Sequence, residues 1–126
     1  MIVIDTSVWI AWLRRPTEDS VAALGGLLDA DEVALPLPVR IELLAGSSPT
    51  NRRALRQALS ALPVAHPSEE TWRILERWVA PAADAGHRFT IGDLLIAALA
   101  SELGALIWSF DRHFEQMEKL GMVRLY

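Results

Sequence analysis

The chain has 126 residues, about half of them hydrophobic, a net charge of −4 and no cysteine. That length suits a single domain over 1–126 with an ordinary apolar core. The missing cysteines exclude a disulfide framework and thiolate metal sites, and fit a reducing, cytoplasmic setting. The opening MIVIDTSVWIAWLRR has no basic residue ahead of its apolar run, and Asp5 interrupts that run, so it reads as folded chain and not as a secretory signal. The longest apolar run, Leu94 to Ala100, is far too short to span a bilayer, so no membrane partner is expected.

Strand and helix signals alternate along the chain. Met1 to Ile4 is a short β-rich run ending at Asp5, and a helix is expected from Ser7 to Leu13. A second helix is expected over Thr17 to Ala30, where Ser20 to Leu28 carries the helical period. Val33 to Leu35 reads as a strand. Pro38 and Gly46 bracket a short helix, and Thr50 is placed to cap another that ends near Leu62. Leu62 to Ala65 reads as a strand, and Ser68 opens a helix to about Ala85. Thr90 to Leu103 is apolar nearly all round, the mark of a buried helix. Leu106 to Ser109 is a strand, Asp111 to Leu120 a helix stopped by Gly121, and Val123 to Leu125 a final strand. This alternation, with strands too apolar to have a wet face, predicts an α/β fold. Its centre is a parallel sheet of four to five short strands with helices on both faces.

In such a sheet the C-terminal ends of all strands share one edge, and ligands bind there. Asp5 ends the first strand, Asp111 follows the Leu106 strand, Glu42 lies in the helix after the second strand, and Asp93 heads the buried helix. Capping alone offers a plain account of three of them: Thr90-x-x-Asp93 is a capping-box spacing, and Asp111 and Asp5 can each bond nearby amides. It does not account for Glu42, which is expected to share a helical side with Val39 and Leu43. Carboxylates gathered in apolar surroundings need a counter-charge, and one shared divalent cation satisfies all four. Oxygen ligation points to Mg²⁺ or Mn²⁺, and such an ion suits phosphodiester hydrolysis.

These segments resemble a known family. Asp5-Thr6-Ser7 after MIVI, the segment VRIELLAG with Glu42, TIGDLLIAA with Asp93 and IWSFDRHF with Asp111 are together similar to PIN domains, and specifically to VapC-like toxins of toxin–antitoxin pairs. The resemblance covers the whole chain in order and length. It implies a Mg²⁺-dependent endoribonuclease, usually a homodimer, inhibited by a small antitoxin that binds near the first helices. It makes Asp5, Glu42 and Asp93 metal ligands, Asp111 a fourth, outer acid, and Thr6 and Ser109 hydroxyls that orient ligands or RNA. Many relatives carry one more acid where this chain has His113, which is left as a candidate contact to substrate.

Two rivals stand beside this reading. A phosphoryl-transfer or receiver-type domain would need an acid pair and a Lys near the last strand, yet Asp5 is followed by Thr6 and Ser7, and the only Lys is Lys119. A catalytically inactive PIN-like metal- or RNA-binding module, acting through a partner, is the alternative function. Eleven of the twelve basic residues are Arg, the side chain suited to phosphate. Arg14, Arg15, Arg52, Arg53, Arg56, Arg88 and Arg112 are the candidate RNA contacts, each by default an ordinary solvated charge unless they cluster. Trp9 and Trp12, one turn apart on the first helix, read by default as core packing, while an exposed aromatic face there would suit the antitoxin segment that the resemblance implies. Trp72, Leu75 and Val79 read as helical core or a dimer face.

Overall fold

The computed structural model describes residues 1–126. Its elements are β1 (Ile2–Ile4), α1 (Thr6–Arg14), α2 (Ala23–Asp29), β2 (Val33–Pro36), α3 (Leu37–Ala45), α4 (Pro49–Leu59), β3 (Val64–Ala65), α5 (Glu69–Asp84), α6 (Ile91–Leu103), β4 (Leu106–Trp108) and α7 (Arg112–Lys119). Four strands form one parallel sheet in the order β3-β2-β1-β4. The central strand pairs Ile2 with Val33 on one side and with Leu106 on the other. Every residue of β1 and β2 is buried. Successive side chains point to opposite faces, so both faces of the sheet are covered by helices. The α/β architecture expected from the alternation is the one observed.

The core is one apolar cluster running through the sheet and the inner helices. Within α6, Leu94 and Ile96 to Ala100 are buried, as its lack of a polar face predicts. Only its ends emerge, at Ile91 and Leu103. This helix touches β1, β2, β4, α3, α5 and α7, and so sets where Asp93, in its first turn, can lie.

Four expected elements differ from those observed. The second helix keeps only Ala23–Asp29. Residues 16–22 form turns, and Ala22 supplies no side-chain cap. Thr17, Asp19 and Ser20 in that stretch compete with the helix for backbone hydrogen bonds, so a helical period in the sequence was not enough to extend it. The fourth helix is capped by Ser48, whose hydroxyl accepts the Asn51 N–H at 3.3 Å, and not by Thr50. Pro49 then occupies the first turn, where its missing N–H costs nothing. The strand expected from Leu62 begins at Val64, after Pro63 has accepted a bond from Leu35. The final strand shrinks to a single parallel bridge between Ile107 and Leu125, made by Ile107 N–H to Arg124 and Tyr126 N–H to Ile107.

Candidate metal centre

The parallel sheet delivers Asp5 and Asp111 to one edge, because β1 and β4 are hydrogen-bonded neighbours and both acids lie just past their ends. Asp5 is 6% exposed. It caps α1, and its Oδ2 accepts the Ser7 N–H at 3.4 Å, the Ser7 hydroxyl at 2.7 Å and the Ser109 hydroxyl at 2.8 Å. The same hydroxyls serve the opposite strand end: Ser7 Oγ accepts the Phe110 N–H, and Ser109 Oγ accepts the Asp111 N–H. The β1 and β4 termini are thus stitched together by two serines.

Glu42 reaches the same place from α3, which packs on α1 and α6. The Thr6 hydroxyl donates to Glu42 Oε2 at 2.6 Å, across 36 residues of sequence. Glu42 Oε1 lies 3.6 Å from where a side-chain carbon on Gly92 would stand, so this carboxylate lies against the first turn of α6, beside Asp93. Thr90 caps that turn by accepting the Asp93 N–H at 3.1 Å. The Asp93 side chain itself points elsewhere, with Oδ2 at 3.1 Å from His113 Nδ1. His113 closes the ring: its Nδ1 is 3.5 Å from Asp111 Oδ1, and its N–H donates to that same oxygen at 2.9 Å.

A common pattern emerges from these bonds. In Asp5, Glu42 and Asp111 one oxygen is held by protein donors, in Asp93 one oxygen meets the His113 ring nitrogen, and the remaining oxygen of each, Oδ1 of Asp5 and Asp93, Oδ2 of Asp111 and Oε1 of Glu42, makes no hydrogen bond. The free oxygens are not sealed in the core, since the buried side-chain atom lacking a partner is Trp9 Nε1. Capping and ligation are therefore compatible: Asp5 and Asp111 each cap a helix with one oxygen and present the other. Carboxylates oriented by outer donors, with an oxygen left open, fit a divalent cation. Asp93, Asp111 and His113 already bring one ligand atom each within 4.8 Å of the others. Asp5 and Glu42 stand outside that tight group and join it through Ser109 and Thr6. The four acids thus form an open ring of contacts: Asp5 meets the Asp111 turn through Ser109, Asp111 and Asp93 share His113, and Glu42 lies between Thr6 and the first turn of α6.

Several expectations need correction. Glu42 is exposed, while Val39 and Leu43 of the same helix are buried, so it does not share their apolar side and burial sets no demand for a counter-charge there. Trp9 is 3% exposed, with Trp12 packed edge-on to it at 6.0 Å, so neither forms an open aromatic face. Arg15 pairs with Glu18. Arg52 is spent on the α3–α4 junction, donating to the Leu44 and Ser47 carbonyls at 3.2 and 3.0 Å. Ser7 was missed as an orienting residue. Its signal was a second hydroxyl directly after Thr6, on the turn that Asp5 caps.

Beside the ring runs a cleft of about 640 Å³ between α1, α3 and α4. Ile10 and Leu13 of α1, Leu43 of α3, and Ala54 and Leu55 of α4 give it apolar walls, and Glu42 stands at its edge. Ile10 and Leu13 are 41% and 47% exposed, an apolar pair that the monomer leaves uncovered.

Comparison with known proteins places these features. Residues 2–120 match the PIN domain family. Ribonuclease VapC11 of Mycobacterium tuberculosis is 30% identical over 125 residues, covering 95% of this chain and 93% of that protein. Among solved structures, VapBC2 from Rickettsia felis, bound to a DNA fragment from its promoter, superposes with a TM-score of 0.79 at 21% identity, over 100% of this chain and 98% of that one. VapBC-5 of M. tuberculosis gives 0.70 at 25% identity, covering 98% and 94%. The sheet order, the acids at its edge and this whole-length similarity agree, and the chain belongs to the PIN-domain family of VapC ribonuclease toxins.

Proposed function

We propose that this protein is the toxin of a toxin–antitoxin pair and acts as a metal-dependent endoribonuclease, using Mg²⁺ or Mn²⁺ at the ring of Asp5, Glu42, Asp93 and Asp111. The observation that carries this reading is the free oxygen on each of four oriented carboxylates. Asp5, Glu42 and Asp93 would hold the ion, with Asp111 as the outer acid. Bound there, a divalent ion supplies an activated water and neutralises charge on the phosphate and leaving oxygen. The chain's own groups do the positioning. Ser7 and Ser109 fix the Asp5 carboxylate, and Thr6 fixes Glu42. None of these donors can be replaced by bulk water without loosening the ring. Cleavage of single-stranded RNA by the purified protein, restored by Mg²⁺ or Mn²⁺ after chelation, is the direct test. Full activity in EDTA would overturn the reading.

Asp93 and Asp111 should separate in metal affinity. The Asp111 side chain is 39% exposed and that of Asp93 18%. Asp111→Ala is expected to weaken binding by about 10-fold, within the range for outer groups, and Asp93→Ala by more. Calorimetric titration with Mn²⁺ measures both, and equal losses would contradict the ranking.

The antitoxin is proposed to fill the α1–α3–α4 cleft with an apolar segment. Glu42 lies at the cleft's edge, so the occupant would reach the ring and block it. Leu13→Asp places a charge on that wall at an exposed position, and should weaken antitoxin binding by roughly 30-fold or more, the scale of an interface hot spot. Unchanged affinity in a binding titration with the antitoxin would place the contact elsewhere. A homodimer and a cytoplasmic location belong to the same proposal. No helix is long and apolar enough to cross a membrane.

A further inference from the structure

The three donors that stand closest together at the ring are not all oxygens. His113 Nδ1 lies 3.1 Å from Asp93 Oδ2 and 3.5 Å from Asp111 Oδ1. Neighbouring ligands on a six-coordinate ion with bonds of about 2.1 Å are about 3.0 Å apart, since the two bonds meet near a right angle. The nitrogen's spacing to Asp93 is already close to that value, and its spacing to Asp111 is about 0.5 Å longer, within reach of a small side-chain adjustment. A plain His–Asp hydrogen bond explains one short contact. The helix cap, in which Asp111 Oδ1 accepts the His113 backbone N–H, sets the second, and the two together place the ring nitrogen between carboxylates from α6 and from the turn before α7. The imidazole is also held in place, by its own backbone N–H on Asp111 Oδ1 and by the ring of Phe89, whose centroid is 6.0 Å away at 70°. Phe89 is in turn stacked on His87 at 5.4 Å.

We propose that His113 Nδ1 is a ligand of the metal centre beside Asp93 and Asp111, and that this nitrogen biases the site toward Mn²⁺ and related transition ions over Mg²⁺. The inference rests on the metal-dependent reading above and specifies its ion. Mg²⁺ is a hard ion that dehydrates reluctantly and is bound through carboxylates and retained waters. Imidazole binds first-row transition ions better than Mg²⁺, and Mn²⁺ is a transition ion well suited to a carboxylate-rich set. A centre with His113 replaced by an acid would return to oxygen-only ligation. His113 is therefore a selectivity device at an otherwise acidic site, and its ring is half-exposed, within reach of an entering ion.

The test compares wild type, His113→Asp and His113→Gln by calorimetric titration with Mg²⁺ and with Mn²⁺, together with pulsed EPR of the Mn²⁺-loaded proteins. The ratio of Mn²⁺ to Mg²⁺ affinity should fall by at least about 10-fold in both variants, with Mg²⁺ binding strengthened in His113→Asp. A nitrogen hyperfine coupling should appear in wild type and vanish in both variants. Isotope labelling of histidine in wild type gives the same reading without any variant that must fold. Mn²⁺ bound by wild type without nitrogen coupling, or an unchanged ratio in the variants, overturns the role of His113 and leaves the metal-dependent nuclease standing. Failure of wild type to bind either ion, or binding indifferent to Asp93→Ala, overturns both.

Discussion

Asp5→Ala should reduce RNA cleavage by on the order of 1,000-fold or more, with substrate binding far less affected. Removing one member of a group that acts as a unit costs most of the rate at once. In the function proposed above Asp5 is such a member, with Ser7 and Ser109 both converging on its Oδ2 and linking it to the Asp111 turn. The double variant Asp5→Ala/Asp93→Ala should therefore be hardly worse than either single one. Asp5→Asn separates ligation from capping. It keeps an acceptor for Ser7 and Ser109, so the fold and the α1 cap should survive, while the charge that holds a cation is gone. Single-turnover cleavage, with melting curves on the same samples, makes the measurement. An Asn variant with near wild-type rate would mean that Asp5 is a cap and no more.

Phe114→Ala should lower unfolding stability by about 3–5 kcal/mol, the range for a large side chain removed from a closed core. Phe114 is 0% exposed and belongs to the apolar cluster, with Met117 beside it on the same face of α7. Its loss should also weaken metal binding, because α7 begins at Asp111 and carries His113 in its first turn, and both depend on the seat that Phe114 provides. Phe110→Ala is the control. That ring is 50% exposed, and truncating it should change stability by within about 0.5 kcal/mol. Denaturant titration with and without Mn²⁺ reads both effects. Similar losses for the two variants would contradict the packing of α7 described above.

Much of this was legible in the residues themselves. Strands of unbroken apolar character between helical periods specify a covered parallel sheet, and that sheet places the ends of β1 and β4 side by side. Asp5 and Asp111 could thus be assigned to one edge from their positions after strands. Asp93 could be assigned to the head of a buried helix from the apolar run behind it. These are local signals, carried by spacing and side-chain type over a few residues. Boundaries were less legible where propensity was weak, as in the stretch before Ala23. The final strand fell short for another reason, since a bridge depends on its partner and not on its own sequence.

What the tertiary structure decided was everything that links distant residues. Ser109 meets Asp5 across 104 positions and Thr6 meets Glu42 across 36. No local pattern encodes such pairings, because they follow from strand order and from the packing of α3 between α1 and α6. The same holds for Arg52, whose charge looked free in sequence and is used at a helix junction, and for Trp9, whose side of α1 is buried by its neighbours. His113 is the clearest case. By itself it is one histidine two residues beyond an aspartate. Only the contact of α6 with α7 brings its nitrogen between two carboxylates, because Ile96 of α6 and Phe114 of α7 are buried in one apolar core that fixes where those helix ends lie.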